Sequence, residues 1–184
     1  MRPLQAIGTG LVLVVLTAPA GGAGVDLFAD PVGWLLVLLG VPRLPSGVPL
    51  QRVLLVTAVL ATLVAAVLWV PAAASSLDNI DPSLQWSLEL PRVGFLVALS
   101  LALSRAADVA ADARARGWWR MVSAAASLTG LLPVVVYGAG VRSLADVAGG
   151  VAIGTLLCCL VLCFLHAARP WADADVDRRA PSGD

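Results

Sequence analysis

Residues 24–44 read GVDLFADPVGWLLVLLGVPRL. Two acids four positions apart, Asp26 and Asp30, stand directly ahead of an abrupt change to apolar residues at Pro31. Asp30 has the character of an N-cap, its carboxylate accepting from backbone N–H groups that the first helical turn leaves free. Pro31 then falls at the first helical position, where its missing N–H costs nothing and its fixed φ suits the helix. A negative charge beside the positive end of the helix dipole adds to the effect. Gly33 would let another backbone come close, and Trp34 has the ring of an interfacial anchor. The stretch ends over residues 40–45, where two prolines, Pro42 and Pro45, stop the helix. From Pro31 to Leu44 is 14 residues, about 21 Å of helix at 1.5 Å per residue. That is short for a hydrocarbon core of about 30 Å, and the segment is counted here as a short span.

The rest of the chain puts that helix among others of its kind. Of 184 residues 59% are hydrophobic and only 13% charged, with a mean hydropathy of +0.90; soluble domains carry about 25% charge. Apolar runs fall at 4–20, 31–44, 50–70, 91–111, 118–138 and 146–168. The last four reach the roughly 20 residues that a crossing requires. The fold class is therefore all-α: a polytopic membrane bundle of six transmembrane helices, the second one short, in one domain over residues 1–170. Residues 171–184 alternate acids and arginines with Pro and Gly, which predicts a disordered cytoplasmic tail.

Arginines set the orientation. All 12 basic residues are arginine. With six spans and the N-terminus inside, ten fall on inner segments, and Arg92 and Arg142 alone fall outside. The acids Asp26, Asp30, Asp78, Asp81, Glu89 and Asp146 lean to the outer side. Both termini are thus expected in the cytoplasm of a cell bounded by this plasma membrane. Trp34, Trp69 and Tyr137 fall at outer ends, and Trp118, Trp119 and Trp171 at inner ends, where indole is favoured. The first run also has the outline of a secretory signal, with Ala18-Pro19-Ala20 as its small-x-small site; the expectation is a retained helix, paired with the second as a hairpin. Residues 71–90 read as an outer loop with a short interfacial turn or helix. The fourth run is expected to start at Pro91 and to run on to about Arg116, pairing Asp112 with Arg116 at i,i+4. Pro133 should kink the fifth.

The segment from Val25 to Trp34 resembles the D-x-x-x-D-P-V-G-W signature of a family of small integral membrane proteins of actinobacteria. The resemblance covers residues 4–44, where the family has one apolar helix before the signature and one with a basic end after it. Phe28-Ala29 stands where such relatives often carry Leu-Pro. What the resemblance implies is a membrane location and a helical architecture; it brings no activity with it.

The chemistry on offer is sparse. Cys159, Cys163 and His166 lie at i, i+4, i+7 on one helix face, but three residues on one helix do not readily surround a tetrahedral metal. Small polarisable packing residues are the simpler reading, so no metal or cofactor is expected. Arg142 and Asp146 read as an interfacial ion pair. The piece Ser143–Gly150 has the outline of the last motif of membrane phosphatidic-acid phosphatases, but Arg142 stands where that chemistry needs a histidine. Gly150 and Gly154 belong to a small-residue ridge suited to close helix packing. Arg105 and Asp108, near the inner end of the fourth run, are intramembrane ionisable candidates that snorkelling and mutual pairing also explain. A net charge of zero argues against nucleic acid as a partner. The leading expectation is a non-catalytic membrane component held by the lipid bilayer, a partner of another membrane protein. The alternative is a small transporter or channel with a polar pathway through Asp30, Arg142, Arg105 and Asp108.

Overall fold

The structure is a computed structural model that describes residues 1–16, 19–20, 25–26, 30–70 and 82–173; for 19, 20, 25, 26, 82, 83 and 142 it describes the backbone alone. Among the described residues six α-helices follow from the six apolar runs: α1 (Pro3–Val15), α2 (Asp30–Gly40), α3 (Gln51–Leu68), α4 (Pro82–Val109), α5 (Ala113–Pro133) and α6 (Ala145–His166). Between α1 and α2 a two-residue antiparallel pair joins β1 (Pro19–Ala20) to β2 (Val25–Asp26). Each helix packs on its neighbours in the chain, and α6 returns onto α1, so the all-α bundle closes into a ring.

The helices run alternately up and down, and two contacts fix which ends meet. Arg2 Nε lies 3.2 Å from the Asp173 carboxylate, so α1 begins where the chain leaves α6. Asp30 lines a cavity with Val14, Leu68 and Glu89, so the end of α1, the start of α2, the end of α3 and the first turns of α4 share the opposite end. One end of the bundle therefore carries Arg2, Arg43, Arg52, Arg105, Arg114, Arg116, Arg120 and Arg169; the other carries Arg92 and Arg142. The interior is filled by Leu11, Val37, Leu54, Phe95, Leu99 and Leu103, none of them exposed. Buried Ala58, Ala61 and Ala65 on α3, and Ala98, Ala102 and Ala106 on α4, allow close helix approach.

The outside is as apolar as the inside. Leu63, Val67, Leu131, Ile153 and Leu165 are each about 60% exposed or more (58%, 60%, 64%, 63% and 66%), a surface that water would not tolerate and lipid would. Among the described residues, four segments are long and apolar enough to cross a membrane: Gln51–Leu68, Leu84–Val109, Ala113–Gly138 and Ala145–His166. The helices α1 and α2 have 13 and 11 residues, about 20 Å and 17 Å. They enter and return as a pair, so four crossings or six leave every later connection on the same side.

Several boundaries differ from those the sequence suggests. The helix over 4–20 stops at Val15, and that over 31–44 is α-helical only to Gly40, with a 3-10 turn over Val41–Arg43 where Pro42 stands. The α4 helix begins at Pro82, not Pro91, and passes through Pro91 without a break. Residues 82–90, expected as an interfacial turn, are thus its first turns; Asp81 and the rest of 71–81 lie outside the described residues. At its other end α4 stops at Val109 instead of continuing to Arg116. Pro133 closes the α-helical part of α5, and a π-helical turn follows over Val134–Gly138. A proline frees the carbonyl four residues back, which lets the ladder widen. Trp171–Asp173, expected in the disordered tail, are folded: a 3-10 turn spans Pro170–Ala172, and Ala172 and Asp173 are buried. The remainder of the tail lies outside the described residues.

Candidate functional site

Polar side chains gather at the two ends of the ring. At the arginine end the site is built on the corner between α4 and α5. Ala111 takes a left-handed φ of 56°, with its N–H donating to the Asp108 carbonyl at 3.0 Å and the Asp112 N–H to the Ala107 carbonyl at 2.9 Å. These are the paired bonds of a Schellman stop. Asp112 then starts the next helix: its Oδ1 accepts from the Ala115 N–H at 3.1 Å. Its Oδ2 accepts from Trp171 Nε1 at 3.4 Å and stands 4.0 Å from Arg169 Nε. One carboxylate therefore caps α5 and ties down the segment that follows α6. The Ala115 N–H holds the Asp112 carboxyl below the usual range; burial opposes this, and Trp171 and Arg169 add to it.

That arrangement corrects the sequence-based pairings. Arg116 reaches back across the corner to Asp108 at 2.7 Å, both side chains being part-exposed, and does not pair with Asp112. Arg105 is exposed and forms no ion pair among the described residues. His166 is 8% exposed and lies between two indoles, 5.8 Å from the ring of Trp119 and 5.6 Å from that of Trp171. Cys159 and Cys163 are fully buried, and a Cβ added to Gly8 would stand 3.2 Å from that of Cys163, so this face of α6 is the seam against α1. No cluster of three metal-ligating side chains occurs among the described residues. Beside His166 an open cavity of about 560 Å³ separates α5 from α6.

At the opposite end, Asp30 stands in the first turn of α2 and shares a cavity of about 40 Å³ with Trp34, Glu89 and Arg92. Glu89 and Arg92 are ion-paired at 3.0 Å. They also line a larger hollow of about 410 Å³ with Trp86, Thr129, Pro133 and Tyr137, where the π turn opens. Trp34 is no headgroup anchor: it is 2% exposed and meets Phe95 edge-on at 5.5 Å. Pro31 is half-buried, and Gly33 is buried against α1. The side chains of Asp26 and Arg142 lie outside the described set; Asp146 is exposed in the first turn of α6.

The residues of the suggested polar pathway are not brought together. Asp30 is at one end, and Arg105 and Asp108 at the other, with Phe95, Leu99 and Leu103 of α4 buried between them. The buried hydroxyls on that stretch are used locally, Ser100 donating to the Leu96 carbonyl and Ser104 to that of Leu101. Sequence reasoning overlooked the Asp112–Trp171 contact. Asp112 ahead of a helical run carried a capping signal, but nothing in the sequence links it to a tryptophan 59 residues on.

Fold and surface define a helical membrane protein whose ionic groups, among the described residues, lie toward the bundle ends. Comparison with protein-family models, characterised proteins and solved structures finds no match.

Proposed function

We propose that the chain is a multi-pass plasma-membrane component that acts by contact with another membrane protein, as a non-catalytic partner or regulator. The observation that carries this reading is the outward face of α6. A Cβ added to Gly150 or Gly154 would meet nothing within 4 Å, and Val147 and Ile153 beside them are 53% and 63% exposed. In lipid, helices associate through close backbone approach at small residues. The chain builds such a seat on α6, and no described residue fills it. The test is purification of the tagged full chain from its native membrane in mild detergent. One other membrane protein should accompany it, and Gly150→Leu with Gly154→Leu should abolish this at unchanged folded yield. A chain that purifies alone would overturn the proposal.

We also place both termini in the cytoplasm. Eight arginines gather at the end that holds Arg2 and Asp173, against Arg92 and Arg142 at the other, and positive residues stay inside. Alkaline phosphatase fused after Asp184 should be inactive; an active fusion inverts the orientation. We also propose kinship with the actinobacterial membrane family, on the resemblance of residues 26–34 alone. The transport reading has less behind it, because Asp30 and Asp108 are separated by a packed apolar interior.

A further inference from the structure

We propose that the cavity between α5 and α6 at the arginine end binds an anionic phospholipid drawn from the adjoining leaflet. Its volume of about 560 Å³ falls within the roughly 300–1,000 Å³ of ligand pockets. The wall is apolar and faces the lipid: Trp118, Leu157, Val161 and Leu165 line it and are 48–66% exposed. The rim is ionic. Arg114, from the first turn of α5, and Arg169, just beyond α6, both border the cavity, and Asp112 is the one acid there among the described residues. Arg169 meets Asp112 only at 4.0 Å, and that carboxylate is already engaged by the Ala115 N–H and Trp171. Both guanidinia are therefore available to a phosphate, which arginine grips with paired N–H donors. His166 also lines the cavity and is 8% exposed.

The depth of these groups fits one occupant. The arginines and Trp118 stand at the level where headgroups lie, and Val161 and Leu157 continue from there along α6 toward the middle of the membrane. A phosphate on Arg114 and Arg169 would place one acyl chain along that wall. Basic pockets between membrane helices hold anionic headgroups for the same reason. A free phosphate would use the rim and waste the wall, and a zwitterionic lipid would use the wall while placing its own cation against the arginines.

The experiment uses the full chain in mild detergent, with native mass spectrometry and thermal unfolding as readouts. Phosphatidylglycerol should be retained at one molecule per chain and raise the melting temperature. Phosphatidylcholine with the same acyl chains should be retained at least about tenfold less, a factor worth about 1.4 kcal/mol, and inorganic phosphate should do nothing. Arg114→Gln with Arg169→Gln should cost a similar factor at an unchanged lipid-free melting temperature, since both side chains are exposed. Arg43→Gln with Arg52→Gln, the same loss of charge outside the cavity, should cost little. Leu157→Trp, which fills the wall and keeps the charges, should also weaken retention. The proposal is overturned if the two double variants behave alike, if phosphate alone stabilises, if both lipids bind equally, or if a second protein's helix occupies the cavity.

Discussion

Gly10 of α1 and Gly33 of α2 stand backbone against backbone. A Cβ on Gly33 would lie 2.6 Å from the Gly10 carbonyl oxygen and 2.7 Å from Val14, and a Cβ on Gly10 would collide with the Gly33 carbonyl oxygen in return. No rotamer change relieves a contact with backbone. Gly33→Ala or Gly10→Ala must part the hairpin, and overpacking of this kind costs about 1–3 kcal/mol. Gly117→Ala is the control: a Cβ there meets nothing within 4 Å, and alanine is the better helix former. Unfolding in detergent should show the first two variants destabilised and the third unchanged or improved. Equal behaviour of Gly33→Ala and Gly117→Ala would refute the crossing.

Ala111 holds the left-handed position of the α4 stop, where glycine is the usual choice. An L-residue there costs roughly 1–2 kcal/mol, of which glycine gives back part through its greater freedom in the unfolded chain. Ala111→Gly should therefore stabilise the protein by about 0.5–1 kcal/mol. Thermal unfolding decides the point, and a lower melting temperature would show that the corner is held otherwise.

Asp112 offers a test by pH. Its carboxyl is held below the ordinary value of 3.8, first by the Ala115 N–H, so the fold favours the ionised form. Stability from this source is complete above the ordinary range and is lost as pH falls through the lowered folded value. Asp112→Asn keeps an oxygen for the cap but no charge. The advantage of the native chain over this variant should shrink as pH drops below about 4, near the 3.8 reference. Asp112→Ala should cost about 0.5–2 kcal/mol at neutral pH. An Asn variant whose deficit is the same at pH 3 and pH 7 would contradict the assignment.

Two ion pairs at the same end should differ in weight. Asp108 and Arg116 are 51% and 39% exposed in their side chains, whereas Asp173 is only 7% exposed opposite Arg2 at 46%. Surface pairs contribute about 0–1 kcal/mol, but a buried carboxylate deprived of its cation costs about 1–3 kcal/mol. Arg2→Gln should hence destabilise more than Asp108→Asn. The reverse order in denaturant titrations would mean that Asp173 draws its stabilisation elsewhere.

The sequence by itself determined the class of this protein. Apolar runs of membrane length have no other stable solution than helices, because lipid cannot take over backbone hydrogen bonds. The arginine asymmetry was equally legible, since it is a count along the chain. Gly33 was recognisable as a point of close approach because a missing Cβ has one obvious use there. Its partner was not, for Gly10 is one of 17 glycines and the crossing angle of α1 and α2 chooses among them. Trp34 and Trp119 read as interface anchors because indole favours the headgroups; packing against Phe95 and His166 buried both. Arg116 had an acid four residues before it and another eight before it, and the turn at Ala111 awarded it to Asp108. Tertiary structure alone decided that α6 closes the ring on α1, and that Asp112, Arg169 and His166 meet at one cavity. Such contacts join residues far apart in the chain, and no local pattern of hydrophobicity or charge encodes them.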